Sequence, residues 1–204
     1  GVMSPEIAMR SPVNTLLSGP AGGPTAGLSY ASLYNTSDII TIDMGGTSFD
    51  ACLVKGGVPP LSMGGNIGGQ WLSTPMLDIH TIGAGGGSIA WVDAGGVLQV
   101  GPQSAGSDPG PVCYDRGGES PTVTDADLLL GYLDPDYFHG GKIKLNLEKA
   151  TRAIETKIAG PLNISTIEAA EGIYRLINSR MSGAMAVSTT QRGFDPRDFS
   201  MITA

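Results

Sequence analysis

No stretch of this sequence comes near the roughly 20 uninterrupted apolar residues that a membrane span needs, and the N-terminus has no charged-then-apolar signal pattern. A membrane partner is therefore not expected, and the expected location is cytoplasmic. Basic clusters are missing as well. Only 12 Lys and Arg stand against 19 Asp and Glu, and a formal charge of −7 cannot neutralise a phosphate backbone, so nucleic acid is excluded as a partner. There are two cysteines, Cys52 and Cys113. They are too few for a disulfide framework or a structural zinc site, and both read as reduced thiols. No Walker A run, zinc-protease helix or Gly-x-Ser-x-Gly elbow occurs, which removes P-loop ATPases, metalloproteases and serine esterases.

What the chain has in excess is glycine, 31 of 204 residues, about twice the usual share of roughly 7% and without a collagen-like period. Such glycine serves loops and close backbone approaches. A hydrophobic content of 41% is enough for a core. The most informative glycine pair lies in Ile39-Ile40-Thr41-Ile42-Asp43-Met44-Gly45-Gly46-Thr47-Ser48-Phe49-Asp50-Ala51-Cys52-Leu53-Val54. Its two β-branched and apolar arms predict strands, and Gly45-Gly46 predicts the bend of a hairpin. Such a bend is either an ordinary turn capped by an Asp or a nest of main-chain N–H groups that surrounds a phosphate. In the second case Asp43 is placed to hold Mg²⁺ through water, Thr47 and Ser48 add hydroxyl donors, and Asp50 is a second acid on the outgoing strand.

Taken in order, Gly1 to Pro12 is polar and proline-marked and reads as a linker, with the fold starting at Val13. Leu16 to Gly23 is a tight entry, near nucleotide or merely the start of a helix, into a small-residue helix from about Pro24 to Leu33. After the hairpin, Val58 to Met63 is expected to add a third antiparallel strand. From Gly64 to Gly118 the helical period vanishes into loop and short strand, with Ile89–Val92 and Val97–Val100 paired across Asp93 to Gly96. Asp78 and His80 alternate there, as on one face of a strand, just before Gly83-Ala84-Gly85-Gly86-Gly87-Ser88. An acid beside an imidazole suits a proton shuttle, a metal's coordination shell, or a histidine simply held by an aspartate. Cys113 reads as a buried thiol rather than a nucleophile, since no basic neighbour is evident.

The last third is helical. Thr124 or Asp125 is expected to cap a short helix ending near Gly131. Leu147, Ala150, Ile154 and Ile158 mark a helix that Gly160-Pro161 should stop. Ser165-Thr166-Ile167-Glu168 is a capping box for a longer helix with Ile167, Ala170, Tyr174, Ile177, Met181 and Ala184 on one face. Phe199 to Ala204 predicts a buried strand.

Five motifs stand in one order: Leu17-Ser18-Gly19-Pro20-Ala21-Gly22-Gly23, Asp43-Met44-Gly45-Gly46-Thr47-Ser48-Phe49-Asp50, Leu77-Asp78-Ile79-His80 through Ser88-Ile89-Ala90, Ser104-Ala105-Gly106-Ser107-Asp108-Pro109-Gly110-Pro111, and Pro121-Thr122-Val123-Thr124-Asp125-Ala126. Together they resemble the hydantoinase A/oxoprolinase family over nearly the whole chain. The resemblance implies an α/β fold, an actin-like ATPase (ribonuclease H-like) lobe, with a mixed sheet, flanking helices and a long glycine-rich insertion at 56–121. It implies that residues 13–204 are the second lobe of such a protein, cut at both ends, with the first lobe of the same polypeptide and a glycine-rich adenine-side loop missing. The implied activity is ATP-dependent opening of a cyclic amide, hydantoin or 5-oxoproline, by phosphorylation of its carbonyl. The alternatives are the nucleotide-binding subunit of a ketone carboxylase, or a non-catalytic nucleotide-gated module. ATP and Mg²⁺ are the implied cofactors, a small cyclic amide the substrate, and a hydantoinase B-type subunit the implied partner. Asp43, Gly45, Gly46, Thr47 and Ser48 would hold phosphates, with Asp43 also the metal residue, Asp78 and His80 would be catalytic, and Gly85, Gly86 and Gly87, also cofactor-binding, would line the reaction centre with them.

Overall fold

A computed structural model describes residues 3–67 and 69–203, which form two compact units. The described residues of 1–43, 50–81 and 184–204 make the first, and those of 44–49 and 82–183 the second.

In the first unit a short helix α1 (Pro5–Arg10) lies within the expected linker and buries no side chain. Helix α2 (Gly22–Leu33) follows, and its small residues let it lie close against strand β1 (Ile39–Met44). A Cβ at Gly27 would run into the Thr41 methyl and lie 3.3 Å from Ile39 Cδ1. Strand β2 (Phe49–Val54) is the second arm of the predicted hairpin. Ala31, Ile39, Cys52 and Val54 are buried together, with Leu28, Ile79 and Ile202 packed on them.

An antiparallel strand does form within Val58–Met63, but it is short and lies outside the sheet of the hairpin. Gly56 and Gly57, both at positive φ, close a tight turn in which Val58 bridges Lys55, and Pro59-Pro60 then offers no N–H to continue the ladder. The chain leaves the sheet. Strand β3 (Leu61–Ser62) pairs instead with β6 (Met76–Leu77), and β4 (Gly65–Ile67) with β5 (Gln70–Leu72), each antiparallel. The place beside β2 goes to β7 (His80–Ile82). The strand at the C-terminal end is β10 (Ser200–Thr203), parallel to β1, and the sheet order is β10-β1-β2-β7. Among the described residues it pairs with β1 alone and is mostly exposed, with Ile202 half-buried, where a buried strand was expected.

In the second unit β8 (Ser88–Val92) and β9 (Leu98–Ser104) form the expected hairpin, with Ala90 opposite Val100. Asp93 organises its turn, accepting from Gly95 N at 2.9 Å and Val97 N at 3.0 Å. Helix α3 (Val123–Leu129) is capped by Thr122, two residues before the expected position, with Asp125 completing a capping box. Asp125 also reaches beyond its own helix. Fully buried, it accepts from Val112 N (3.2 Å), Cys113 N (2.7 Å), Thr122 N (2.8 Å) and Thr122 Oγ1 (2.9 Å), and so ties the 112–113 turn to α3.

Helix α4 (Leu147–Ile154) does not stop at Gly160-Pro161. It widens into a π-turn over Glu155–Ala159, where Gly160 N bonds Glu155 O, and runs into a single turn α5 (Gly160–Leu162) that ends at left-handed Asn163. The wider turn makes room for a proline that has no N–H to give the helix. Helix α6 (Thr166–Ser188) has the predicted capping box, Ser165 N and Oγ both donating to Glu168. Its buried apolar residues are Ala169, Ala170, Ile173, Ile177 and Ala184, while Ile167 is exposed.

The glycines at 85–87 lie against the bend of the first hairpin, main chain to main chain. Gly86 N donates to Gly45 O (3.1 Å) and Gly87 N to Gly46 O (2.7 Å). A Cβ on Gly85 would lie 2.6 Å from Gly45 O and 2.7 Å from both Gly46 C and Thr47 N. The neighbours are backbone and cannot yield. Gly85→Ala is expected to cost about 1–3 kcal/mol, whereas Gly46→Ala, whose Cβ meets nothing within 4 Å, should stay within about 0.5 kcal/mol of the parent. Chemical denaturation of both variants checks the contrast.

Asp127, also on α3, differs from Asp125 in that its buried Oδ1 has no partner among the described residues, and burial pushes its pKa up from 3.8 to about 6. The folded chain therefore holds this proton more tightly than the unfolded chain. The associated stability is fully present below pH 3.8 and lost as pH rises through about 6. Because part of the side chain reaches solvent, about 1–2 kcal/mol is expected. Asp127→Asn should remove that slope, so its advantage over the parent in denaturant should grow between pH 4 and pH 7.

Candidate functional site

At the bend of the hairpin the carbonyls of Gly45 and Gly46 are occupied, while three successive amides are left over. Gly45 N closes the turn onto Ser48 O at 3.0 Å, and Gly45 O and Gly46 O are taken by Gly86 and Gly87. The N–H groups of Gly46, Thr47 and Ser48 have no partner among the described residues, and Gly46 and Thr47 are exposed. Unpartnered donors in succession, without side chains in the way, are the chemistry of an anion nest. The residues present fit a phosphate.

The amides of Gly85, Gly86 and Gly87 are used differently from the sequence reading. Gly85 N donates to Ser88 Oγ at 2.9 Å, and the other two donate to the bend. All three glycines support the cradle from beneath and supply none of its free donors. They are held in turn by Thr124, whose N and Oγ1 both reach Gly86 O at 2.8 Å. Sequence had offered Thr124 only as a helix cap, and no local pattern marks this tertiary use. Thr47 Oγ1 lies 3.4 Å from Ser104 Oγ, a second contact that sequence does not announce.

In the first unit, Asp43 and Asp50 line one small cleft with Pro20, Gly23, Thr41 and Cys52. The Leu17–Gly23 motif thus comes to rest against the acid that the hairpin motif supplies. Asp50 accepts a hydrogen bond from Thr81 Oγ1, while the Asp43 carboxylate has no partner among the described residues. No group of three His, Cys, Asp or Glu side chains suited to a metal occurs among the described residues. One free carboxylate fits a water-mediated Mg²⁺, which keeps most of its waters, and does not fit an all-protein cage.

Asp78 and His80 do not form the expected pair. Asp78 lies before β7 rather than on it, and both arms of the Arg192 guanidinium hold its carboxylate, Nη2 to Oδ1 at 3.1 Å and Nη1 to Oδ2. A bidentate arginine fixes a carboxylate in position. His80 opens β7, half-buried, and its side chain has no hydrogen-bond partner among the described residues. Arg192 lies 114 residues away, in the turn after α6 that left-handed Gly193 closes, a separation at which sequence gives no signal. The same neighbourhood silences Cys52, whose thiol is pushed up to about 11 by burial and then by the Asp78 charge. Cys113 is fully buried and its thiol is raised further by burial and Asp125, so neither cysteine is a nucleophile. No helix among the described residues is long and apolar enough to cross a membrane.

Comparison with known proteins agrees with this architecture. The chain is 49% identical over its whole length to the caprolactamase alpha subunit of Pseudomonas jessenii, covering 30% of that protein. It is 46% identical over 87% of its length to the acetophenone carboxylase gamma subunit of Aromatoleum aromaticum, covering 25% of that one. The crystal structure of the ATP-dependent caprolactamase from Pseudomonas jessenii superposes with a TM-score of 0.86 at 50% identity, over 94% of this chain and 28% of that chain. The chain thus spans less than a third of the length of these relatives. The α/β fold with its mixed sheet is therefore that of the actin-like ATPase-type enzymes. Residues 1–204 match the hydantoinase/oxoprolinase family model, and the chain belongs to that family.

Proposed function

We propose that this chain supplies a phosphate-holding part of an ATP-dependent enzyme that opens a cyclic amide. The observation that carries the reading is the run of N–H groups at Gly46, Thr47 and Ser48 that have no partner among the described residues, in a bend whose Gly45 and Gly46 carbonyls are tied down. Donors fixed in advance on a developing negative charge are the main resource of phosphoryl-transfer catalysis. Similarity to a protein named ATP-dependent caprolactamase, a lactam hydrolase by name, supports the cyclic-amide substrate.

In this reading the amide oxygen of the substrate takes the γ-phosphoryl group of ATP with ADP as the leaving group. Water then adds to the activated carbon, the ring C–N bond breaks as the departing nitrogen takes a proton, and a second water hydrolyses the acyl phosphate so formed to a carboxylate and phosphate. Gly46, Thr47 and Ser48 hold phosphate oxygens, and Gly45 with Gly85 to Gly87 fixes the bend. Asp43, two residues before the bend in the chain, would hold Mg²⁺ through water, and the ion when bound would neutralise phosphate charge. His80, whose imidazole has no partner among the described residues, is assigned proton transfer, and Asp78 is the carboxylate that Arg192 holds beside β7. Residues 13–204 are read as the second lobe of the ATPase, whose first lobe belongs to the same polypeptide, in an assembly that includes a hydantoinase B-type subunit. A reducing cytoplasmic setting suits the two free thiols.

A second reading, a subunit of a ketone carboxylase, is supported by the 46% identity to the acetophenone carboxylase gamma subunit. The two are separated by ATP hydrolysis in the full-length protein with its partner subunit, assayed with caprolactam, 5-oxoproline, N-methylhydantoin and acetophenone. Stimulation by a cyclic amide is expected, and stimulation by acetophenone alone would transfer the assignment to the carboxylase. Asp43→Ala should reduce the stimulated rate by about 100-fold or more, and unchanged kinetics would remove Asp43 from the site. The 204-residue chain by itself is expected to fold and to show no ATP turnover, since only part of the nucleotide site is proposed to lie within it.

A further inference from the structure

Thr47 carries the one side-chain hydroxyl on the bend that has a side-chain partner, and that partner determines what the hydroxyl can do. Ser104 stands at the end of β9, and Gly106, at a φ of +65°, turns the chain back so that its N–H donates to Ser104 Oγ at 3.1 Å. A serine hydroxyl has one proton and two lone pairs. With one lone pair committed to Gly106, its proton has Thr47 Oγ1, at 3.4 Å, as a hydroxyl acceptor. Gly87 keeps this approach open, because a Cβ there would lie 2.9 Å from Ser104 Oγ and 2.8 Å from Gly46 O.

We propose that Ser104 is a positioning residue for the phosphate grip: it donates to Thr47 Oγ1 and so directs the proton of Thr47 outward to a phosphate oxygen. The inference rests on the phosphate-holding role given to the bend above. Thr47 is exposed, and Ser104 is its only side-chain hydrogen-bond partner among the described residues, so a Thr47 proton released from Ser104 turns to whatever acceptor occupies the nest. At 3.4 Å the hydroxyl pair is long and weak as a brace. Its loss should therefore show in ligand affinity rather than in stability. Ser104 also belongs to the Ser104–Pro111 motif, for which the phosphate reading otherwise has no use.

The test is MgATP binding to the full-length protein by titration calorimetry, with thermal melts of every variant. Thr47→Ala is expected to weaken MgATP about tenfold and Ser104→Ala about fivefold, with the double variant no weaker than Thr47→Ala alone. Ser104→Thr, which keeps the hydroxyl, should remain within about twofold of the parent, and the Ser104→Ala melt should coincide with the parent's. Parent-like binding by Ser104→Ala alongside a weakened Thr47→Ala overturns the role of Ser104 and leaves the phosphate grip standing. Parent-like binding by Thr47→Ala removes the grip assigned to its hydroxyl, and Ser104's role with it. An equal loss from Ser104→Ala in the Thr47→Ala background means that Ser104 acts only as scaffold, and also overturns the proposal.

Discussion

Two hydrogen bonds, Gly86 N to Gly45 O and Gly87 N to Gly46 O, decide what the glycine bend can be used for. A free Gly-Gly turn samples many backbone conformations, and holding it in one costs conformational entropy. Here that cost is offset by a second glycine segment that takes the carbonyl side of the bend, leaving the amides of Gly46, Thr47 and Ser48 without a partner among the described residues. A side chain at Gly85 would meet three backbone atoms at 2.6 to 2.7 Å. The two glycine motifs are thus one device, in which one segment presents donors and the other fixes their direction. Thr124 extends the chain of support by placing both a main-chain and a side-chain donor on Gly86 O.

The treatment of carboxylates follows the same economy. Asp125 and Asp127 lie two residues apart on one short helix, yet Asp125 receives four hydrogen bonds and Asp127 leaves a buried oxygen without any. The difference is geometric. Position 125 is third in the helix, where a carboxylate reaches back to the cap residue and, here, onward to the 112–113 turn. Position 127 has no such free donors beside it, since amides deeper in a helix are already bonded. The fold therefore gains a pinned turn from one aspartate and a pH-dependent cost from the other.

Sequence was most informative where chemistry is local. The Ile39–Val54 hairpin, the β8–β9 hairpin and the Ser165–Glu168 capping box all depend on residues within a few positions of one another, and each stands as expected. The third strand forms within Val58–Met63 but outside the hairpin's sheet, for a reason present in the letters, since Pro59-Pro60 has no N–H to donate to the ladder. The helix at 147–162 shows the opposite error, a proline given too much force when a π-turn could absorb it. The Arg192–Asp78 pair was beyond reach, since it is set by a contact far along the chain. For the candidate site, Gly45 to Ser48 were legible as a group, but the supporting role of Gly85 to Gly87 was not, because a glycine needed for close approach does not say what approaches it.

That last ambiguity bears on why one segment resembles proteins named for different substrates. Identity is 49% to a caprolactamase subunit and 46% to an acetophenone carboxylase subunit, nearly the same for a lactam and a ketone. A nest of main-chain amides recognises the shape and charge of a phosphate and carries no information about the acceptor that will receive it. On the proposed reading, the bend and its glycine support are therefore free to remain alike while the acceptor changes. Discrimination between an amide ring and a ketone must come from side chains that touch the acceptor. In this chain His80 is the residue proposed for that end whose side chain is not already committed to another, so differences in substrate should be sought around β7 and in the parts of the relatives that this chain does not span.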